Sequence, residues 1–486
     1  MRENCGTREK GFSLIWIKLE FVLGDFVSRI YSFFMRNFVL PTYDFARGTS
    51  RFRFGRILEK TQWLSYKEIK RLQQKNLRAI LKHAYKTVPY YRQVFNERGL
   101  SLDDVKCVDD LVKLPVLTKA DIRRNFWNMV SYFYPKSEFV TSVSGGTGDQ
   151  IKFFITKEQQ SWEIAAEFRA YRWAGYRFGD KCLMFWGSPI DLAKYESIVK
   201  RFTSCLERVV VLNTYVLSDD VLEKYTRLMR NFNPEVVRGY TSSVYLVAKY
   251  VLEHGVKGVN PRAVITSAET LLDFQRKTIE EAFGCRVFDL YGSREIGSIA
   301  AECEEHCGYH ISAENVVLEF VRNGEHVAAG EHGEILITSL RNFGMPFIRY
   351  AIGDVGKSSD EVCTCGRGLP LMASVEGRIS QFMAVYDKQL GRTIPVSTAA
   401  PGPFSTALMQ VPLESYRIIQ ESLDQIVIKA VKGKGYSQGH TDFVVAYLRK
   451  FLGDSINIEI EFVNHLQPLP SGKRTVFISK INPFGQ

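Results

Sequence analysis

The sequence has 486 residues, 45% hydrophobic, 24% charged and 13% aromatic. This is close to the globular average, so it excludes a wholly disordered, collagen-like or coiled-coil chain, and the length calls for about two to four units of ~150 residues. Lys and Arg number 64 against 53 Asp and Glu, a formal +11, and residues 1–100 alone hold 20 against 8. A basic end on a nearly neutral body suits contact with something anionic, such as a membrane surface, nucleic acid or an acidic partner, or is a solvated face with no dedicated partner. Nothing resembles an RNA-reading signature, a zinc finger or a basic zipper, so nucleic acid is not an expected partner.

Residues 12–40 form the most apolar stretch near the N-terminus. Lys18, Glu20, Asp25, Arg29 and Arg36 interrupt it, so no uncharged run reaches the ~20 residues of a spanning helix. It also lacks a secretory cleavage site. The expectation is an amphipathic helix that either packs on the body or rests on a bilayer surface. The nine cysteines include five scattered singly at 5, 107, 182, 205 and 285, which is no disulfide framework and fits a reducing cytoplasm.

From Tyr66 to about Arg98, apolar residues at three- and four-residue spacing (Ile69, Leu72, Leu77, Ile80, Leu81) predict helix, broken at Val88-Pro89. Between Phe139 and Arg378, strand-like runs alternate with helical patterns: 181–187, 208–213, 235–240, 262–268 and 285–292. That alternation predicts an α/β fold with largely parallel pairing. The texture changes after Gly377-Arg378, where 425–431, 441–452 and 456–463 read as a small α+β unit. The expected organisation is a basic extension (1–60), a large α/β domain (61–376) and a small mobile α+β domain (377–486).

Five short motifs carry chemistry. Ser142-Val143-Ser144-Gly145-Gly146-Thr147-Gly148 is a loop whose amides and hydroxyls can approach phosphate, although no Gly-Lys-Ser/Thr ends it. In Asp289-Leu290-Tyr291-Gly292-Ser293-Arg294-Glu295, an aromatic before a glycine turn can stack a purine and the later carboxylate can ligate Mg²⁺. Arg349-Tyr350-Ala351-Ile352-Gly353-Asp354 offers an Asp to ribose hydroxyls. Gly377-Arg378 and Pro470-Ser471-Gly472-Lys473 complete the series.

In this order, the five motifs resemble those of the adenylate-forming superfamily, from 142 to 473. Val88-Pro89-Tyr90-Tyr91-Arg92, Leu114-Pro115-Val116-Leu117-Thr118-Lys119 and Cys363-Thr364-Cys365-Gly366-Arg367 are similar to the phenylacetate–CoA ligase and CapK-like branch, whose CapK members are associated with capsular polysaccharide clusters. The resemblance implies attack of a small carboxylic acid on Mg-ATP, giving an acyl-adenylate, and then displacement of AMP by CoA or an amine. It assigns Ser144, Gly145, Gly146, Thr147 and Gly148 to the phosphates. Tyr291, within Asp289–Ser293, would stack on adenine, with Ser267, Ala268 and Glu269 along its edge. Glu295 would hold Mg²⁺, Asp354 the ribose, Arg378 the ribose or phosphate, and Lys473 would bridge carboxylate and α-phosphate. Two departures stand out: Asp149-Gln150 where the family loop often continues Lys-Pro, and Ser380-Gln381 where acidic residues often follow the hinge.

Cys303, His306, Cys307 and His310 lie close together, and Cys363-x-Cys365 follows further along. Such ligands suit tetrahedral Zn²⁺. The branch's Cys-x4-Gly-x-His pattern selects Cys303, His310, Cys363 and Cys365 for a structural site, with His306 and Cys307 as alternates and unliganded thiols as the bland reading. Three functions follow from the whole: a ligase of surface polysaccharide synthesis, an aryl-CoA ligase of acid catabolism, and a non-catalytic nucleotide-binding descendant. Cytoplasmic location, with contact at the inner membrane face through 12–40, accompanies the first.

Overall fold

The computed structural model describes residues 30–144, 151–186, 203–214, 217, 219–378, 382–387, 392–397, 403–408, 410–452, 456–467 and 476–481. Its described N-terminal part is one helical run, Ile30 to Ala46, with π geometry over Met35–Val39. Pro41, one residue beyond it, has no N–H to donate to the preceding turn. Helix Arg51–Thr61 leads to Tyr66–Thr87, which opens on a capping box between Ser65 and Glu68. The Val88-Pro89 break separates this helix from Pro89–Glu97, because proline lacks the N–H of a regular helix interior and favours a first turn. Among the described helices, none is long and apolar enough to cross a membrane.

Strands β1 (Phe139–Val143) and β2 (Lys152–Thr156) form an antiparallel hairpin around the first motif. Next come β3 (Cys182–Trp186), β4 (Val209–Asn213), β5 (Val236–Tyr240), β6 (Ala263–Ser267) and β7 (Val287–Ser293), at the five runs predicted as strands. They pair in parallel in the order β4-β3-β5-β6-β7. Alternate residues feed two cores. Val236, Ala263, Ile265 and Phe288 pack with Tyr171 and Trp173 of helix Lys157–Trp173. Val237, Val264 and Val287 pack with helices Asp219–Phe232, Thr241–Glu253 and Asp273–Phe283. A strand buried on both faces reads as a continuous apolar run, and these do.

Beyond β7 the pairing departs from the parallel expectation. Strands β8 (Gly297–Glu302), β9 (Tyr309–Ile311), β10 (Val316–Arg322), β11 (Glu325–His326), β12 (His332–Ser339), β13 (Tyr350–Ser359) and β14 (Leu371–Arg378) extend the sheet to twelve strands. The order is β7-β8-β9-β14-β13-β12-β10-β11, antiparallel throughout. Several links here are tight turns with no room for a crossover helix. At one, Asn323 and Gly324 both take positive φ (55° and 85°), the mirror-image turn that matches hairpin twist.

The C-terminal part has a ribbon of β15 (Phe382–Asp387) and β16 (Arg392–Ser397). A four-stranded sheet follows, made of β17 (Leu413–Ser422), β18 (Gln425–Lys432), β19 (Asn457–Phe462) and β20 (Phe477–Ser479) in the order β19-β18-β17-β20. Helix Gln438–Leu452 supplies Val444 and Leu448 to a core of its own with Ile418, Ile426, Ile428 and Phe404. The fold mixes helices and strands in a large sheet-centred α/β domain and a smaller C-terminal domain, the two-part architecture that the sequence implied.

Candidate functional site

The second and third motifs meet. Tyr291, near the end of β7, donates its hydroxyl to Asp354 Oδ2 of β13 at 2.8 Å. Tyr350 donates to Glu295 Oε1 at 3.2 Å, and all four residues are buried. Gly292 makes the turn possible: a Cβ there would stand 2.7 Å from the carbonyl oxygen of Gly297. The Ser293 hydroxyl accepts from the Ile296 amide at 3.2 Å, so it fixes the turn that carries Glu295. Asp354 also pairs in register with Arg378, which places the end of β14 and the Gly377-Arg378 motif beside it.

Ser144 closes the first motif's loop. Its amide donates to the Ile151 carbonyl at 2.9 Å, and its hydroxyl accepts from the Ile151 amide at 2.9 Å. Gly145, Gly146, Thr147, Gly148 and Asp149 lie outside the described residues, as do Ser380, Gln381 and Lys473. Ser267 ends β6, and Ala268 takes φ +71°, a left-handed conformation unusual for a residue with a Cβ. That turn aims Glu269 at the start of helix Thr241–Glu253. Its carboxylate accepts from the Ser242 amide at 2.8 Å, and its carbonyl from the Thr241 hydroxyl at 3.1 Å. At the ends of β3 and β5, Phe185, Tyr240, Thr241 and Ser243 are buried, and the Trp186 and Tyr240 rings stand 4.4 Å apart.

Asp289 faces inward from the same strand. It accepts from Thr266 at 2.5 Å and Tyr309 at 2.8 Å, and its own amide donates to Glu302 at 2.8 Å. Burial, reinforced by the Glu302 charge, pushes the Asp289 carboxyl up to about 7. Burial also acts to raise Glu302, but His306 and Arg276 outweigh it and hold that carboxyl below its usual range. Asp289 thus props the strand that presents Tyr291, through partners the motif alone did not indicate.

Arg349 and Tyr91 were named only as motif members, and the structure shows what they do. Arg349 takes φ +53° with its guanidinium bonded to Glu319 (3.0 Å) and to the Leu114 carbonyl (2.7 Å). The Ala351 amide donates to the Leu117 carbonyl at 3.0 Å, and the Leu117 amide to the Arg349 carbonyl at 2.9 Å. The Tyr91 hydroxyl donates to the Pro346 carbonyl and accepts from the Ile348 amide. Two of the branch-type segments therefore clamp the backbone that carries Tyr350 and Asp354. Spacing of charges to buried partners is invisible before folding, so only motif membership pointed to these residues.

Cys303, His310, Cys363 and Cys365 converge, with all four ligand atoms within 4.8 Å of one another. Cys303 and Cys363 sulfurs stand 3.6 Å apart, and Cys365 Sγ lies 3.3 Å from His310 Nε2. The Glu305 and Arg367 amides donate to Cys303 and Cys365 sulfur at 3.4 Å each. Burial pushes the Cys303 thiol up to about 11 and His310 down to about 4, so imidazole is neutral near pH 7 and thiolates there call for a cation. Gly308, at φ +120°, lets the loop lie on β14; a Cβ would stand 2.7 Å from the Met372 carbonyl. The alternates turn elsewhere: His306 Nδ1 is 3.4 Å from Glu302, and Cys307 is exposed.

Comparison with known proteins adds four findings. Residues 400–480 match the family model described as the CapK C-terminal domain. The chain is 25% identical over 447 residues to protein CapK of Staphylococcus aureus, covering 88% of this chain and 95% of that protein. It is 30% identical over 315 residues to the phenylacetate-coenzyme A ligase of Pseudomonas putida, covering 62% and 69%. Among solved structures, 2-hydroxyisobutyryl-CoA ligase in the postadenylation state with R3-HIB-AMP shares the fold at a TM-score of 0.67 and 19% identity, over 87% of this chain and 92% of that one.

Proposed function

The chain belongs to the phenylacetate–CoA ligase family of adenylate-forming enzymes, and from that premise we propose that it activates a small carboxylic acid with ATP and transfers the acyl group to CoA or an amine in surface-polysaccharide assembly. The observation that carries the proposal is the convergence of Tyr291 with Asp354 and of Glu295 with Tyr350 from motifs far apart in sequence. A carboxylate oxygen bonds to the α-phosphorus as the bond to pyrophosphate breaks. A thiol or amine then bonds to the acyl carbon, and AMP leaves.

Both partners of the first step are anionic, so the site must neutralise developing charge. The loop beginning at Ser144 and including Gly145, Gly146, Thr147 and Gly148 receives the phosphates. Tyr291 stacks on adenine, with Ser267–Glu269 at its edge, and Asp354 accepts from the ribose. Arg378 and Lys473 approach from the hinge and the small domain, whose boundary we place at Gly377. The buried Glu295 carboxylate suits Mg²⁺, which when bound offsets phosphate charge. The Cys303, His310, Cys363 and Cys365 set suits structural Zn²⁺, with four protein ligands and no open position.

The likeness to CapK over nearly the whole chain favours the polysaccharide role. The likeness to phenylacetate–CoA ligase favours a second reading, an aryl-CoA ligase of acid catabolism. We also propose a cytoplasmic enzyme touching the inner membrane face through residues 12–40. Mass spectrometry of reactions holding ATP, a panel of acids and either CoA or an amine tests the acceptor. An acyl-amide with a sugar amine supports the first reading, an aryl-CoA thioester the second, and no acyl product with any pair defeats both.

A further inference from the structure

The helical run Ile30–Ala46 packs on the body through Met35 and Leu40. Its outward side leaves Ile30, Phe33, Phe34, Phe38, Val39 and Phe45 exposed, from 41% to 85%. The rings of Phe33, Phe34 and Phe38 lie 5.8 to 6.4 Å apart, so the patch is contiguous rather than scattered. The single acid of this run, Asp44, is buried and held by Thr49 and Arg51. Its other charged residue, Arg36, is cationic, as is Arg47 just beyond its end.

The π turn that carries Phe38 and Val39 also carries Arg36 and Asn37, and these two line a cavity of about 240 Å³ with Arg51, Arg56, Arg169 and Arg172. Glu59 is the one acid in the lining. Arg172 pairs with it at 3.0 Å, Arg51 pairs with Asp44 and Glu207 at 3.1 Å each, and Arg169 pairs with Glu314 at 2.7 Å. Arg36 and Arg56 have no acidic partner among the described residues. Arg169, only 2% exposed, keeps an Nε with no hydrogen-bond partner. Arg36 and Arg56 thus carry the charge that no carboxylate among the described residues offsets, and the guanidinium fork matches phosphate oxygens.

The geometry points to this cavity as a binding site for the head-group phosphate of an anionic lipid, with the aromatic row seated in the acyl boundary of the same bilayer. A soluble phosphate would use the cations alone, whereas the exposed row beside them requires an apolar phase. The inference deepens the membrane contact proposed above and rests on it.

Flotation of the full chain with phosphatidylcholine vesicles, with and without phosphatidylglycerol, tests it. Wild type binds the anionic vesicles more tightly, and salt weakens the preference. The pair Arg36→Gln and Arg56→Gln lowers affinity for anionic vesicles about 30-fold, leaving neutral-vesicle binding and the melting temperature unchanged. Phe33→Ser, Phe34→Ser and Phe38→Ser together abolish binding to both. If the arginine pair binds anionic vesicles as wild type does, the phosphate site is refuted while the membrane contact stands. If wild type floats with neither vesicle, both fail. Saturable thermal stabilisation by inorganic phosphate without any flotation would mark a free-anion site and overturn the proposal.

Discussion

The bond between Tyr291 and Asp354 allows a quantitative test of the nucleotide site. Tyr291→Phe keeps the ring but removes a donor to a carboxylate that is only 5% exposed. A hydrogen bond to a charged acceptor contributes about 1.5–3 kcal/mol, and in this setting little water replaces it. Asp354→Asn keeps the shape and removes the charge. If the pair acts as a unit, a double-mutant cycle gives a coupling energy of about 1–3 kcal/mol in urea unfolding. In pyrophosphate exchange, the KM for ATP rises about tenfold for Tyr291→Phe, and the double variant is hardly worse than Asp354→Asn alone. Strict additivity in both assays would refute the reasoning, because ring and carboxylate would then be placed independently.

Lys473→Ala cripples adenylate formation while ATP affinity falls modestly, since its contact strengthens in the transition state; undiminished exchange removes it from the mechanism. Purified protein carries about one Zn²⁺ per chain, and Cys363→Ser with Cys365→Ser loses both metal and thermal stability, as elemental analysis and melting curves report. Asp289, raised to about 7 from an ordinary 3.8, holds a proton in the folded state that the unfolded chain releases. Its contribution to stability therefore falls as pH climbs from about 4 to 7, by at most about 4 kcal/mol, and then levels off. Asp289→Asn flattens that part of the pH–stability curve, and an unchanged slope would assign it to other groups.

The parts of the fold legible in sequence were those set by local physics. Strands β3, β5, β6 and β7 showed as apolar runs because they are buried on both faces, and the Pro89 break showed because proline fits a first turn and disrupts a regular helix interior. The antiparallel half was misread. Val316–Arg322 and His332–Ser339 are as apolar as parallel strands, and the Asn323-Gly324 signal between them marks a hairpin rather than a crossover. In the site, motif order indicated Tyr291, Glu295 and Asp354, and the Cys/His choice coincides with the cluster the fold assembles. What stayed hidden were the long-range partners: Tyr350 on Glu295, Tyr309 and Thr266 on Asp289, and Tyr91 and Leu114 around Arg349. These depend on sheet order, which no local pattern encodes.

The central claim, adenylation of a carboxylic acid at the Tyr291–Asp354 site, is tested most directly by ATP–pyrophosphate exchange over a panel of acids. The account predicts acid-dependent incorporation of labelled pyrophosphate into ATP, with AMP released once CoA or an amine is added. ATP binding without exchange for any acid, in protein prepared without chelator and assayed with Mg²⁺, would contradict it and leave a nucleotide-binding descendant of the fold.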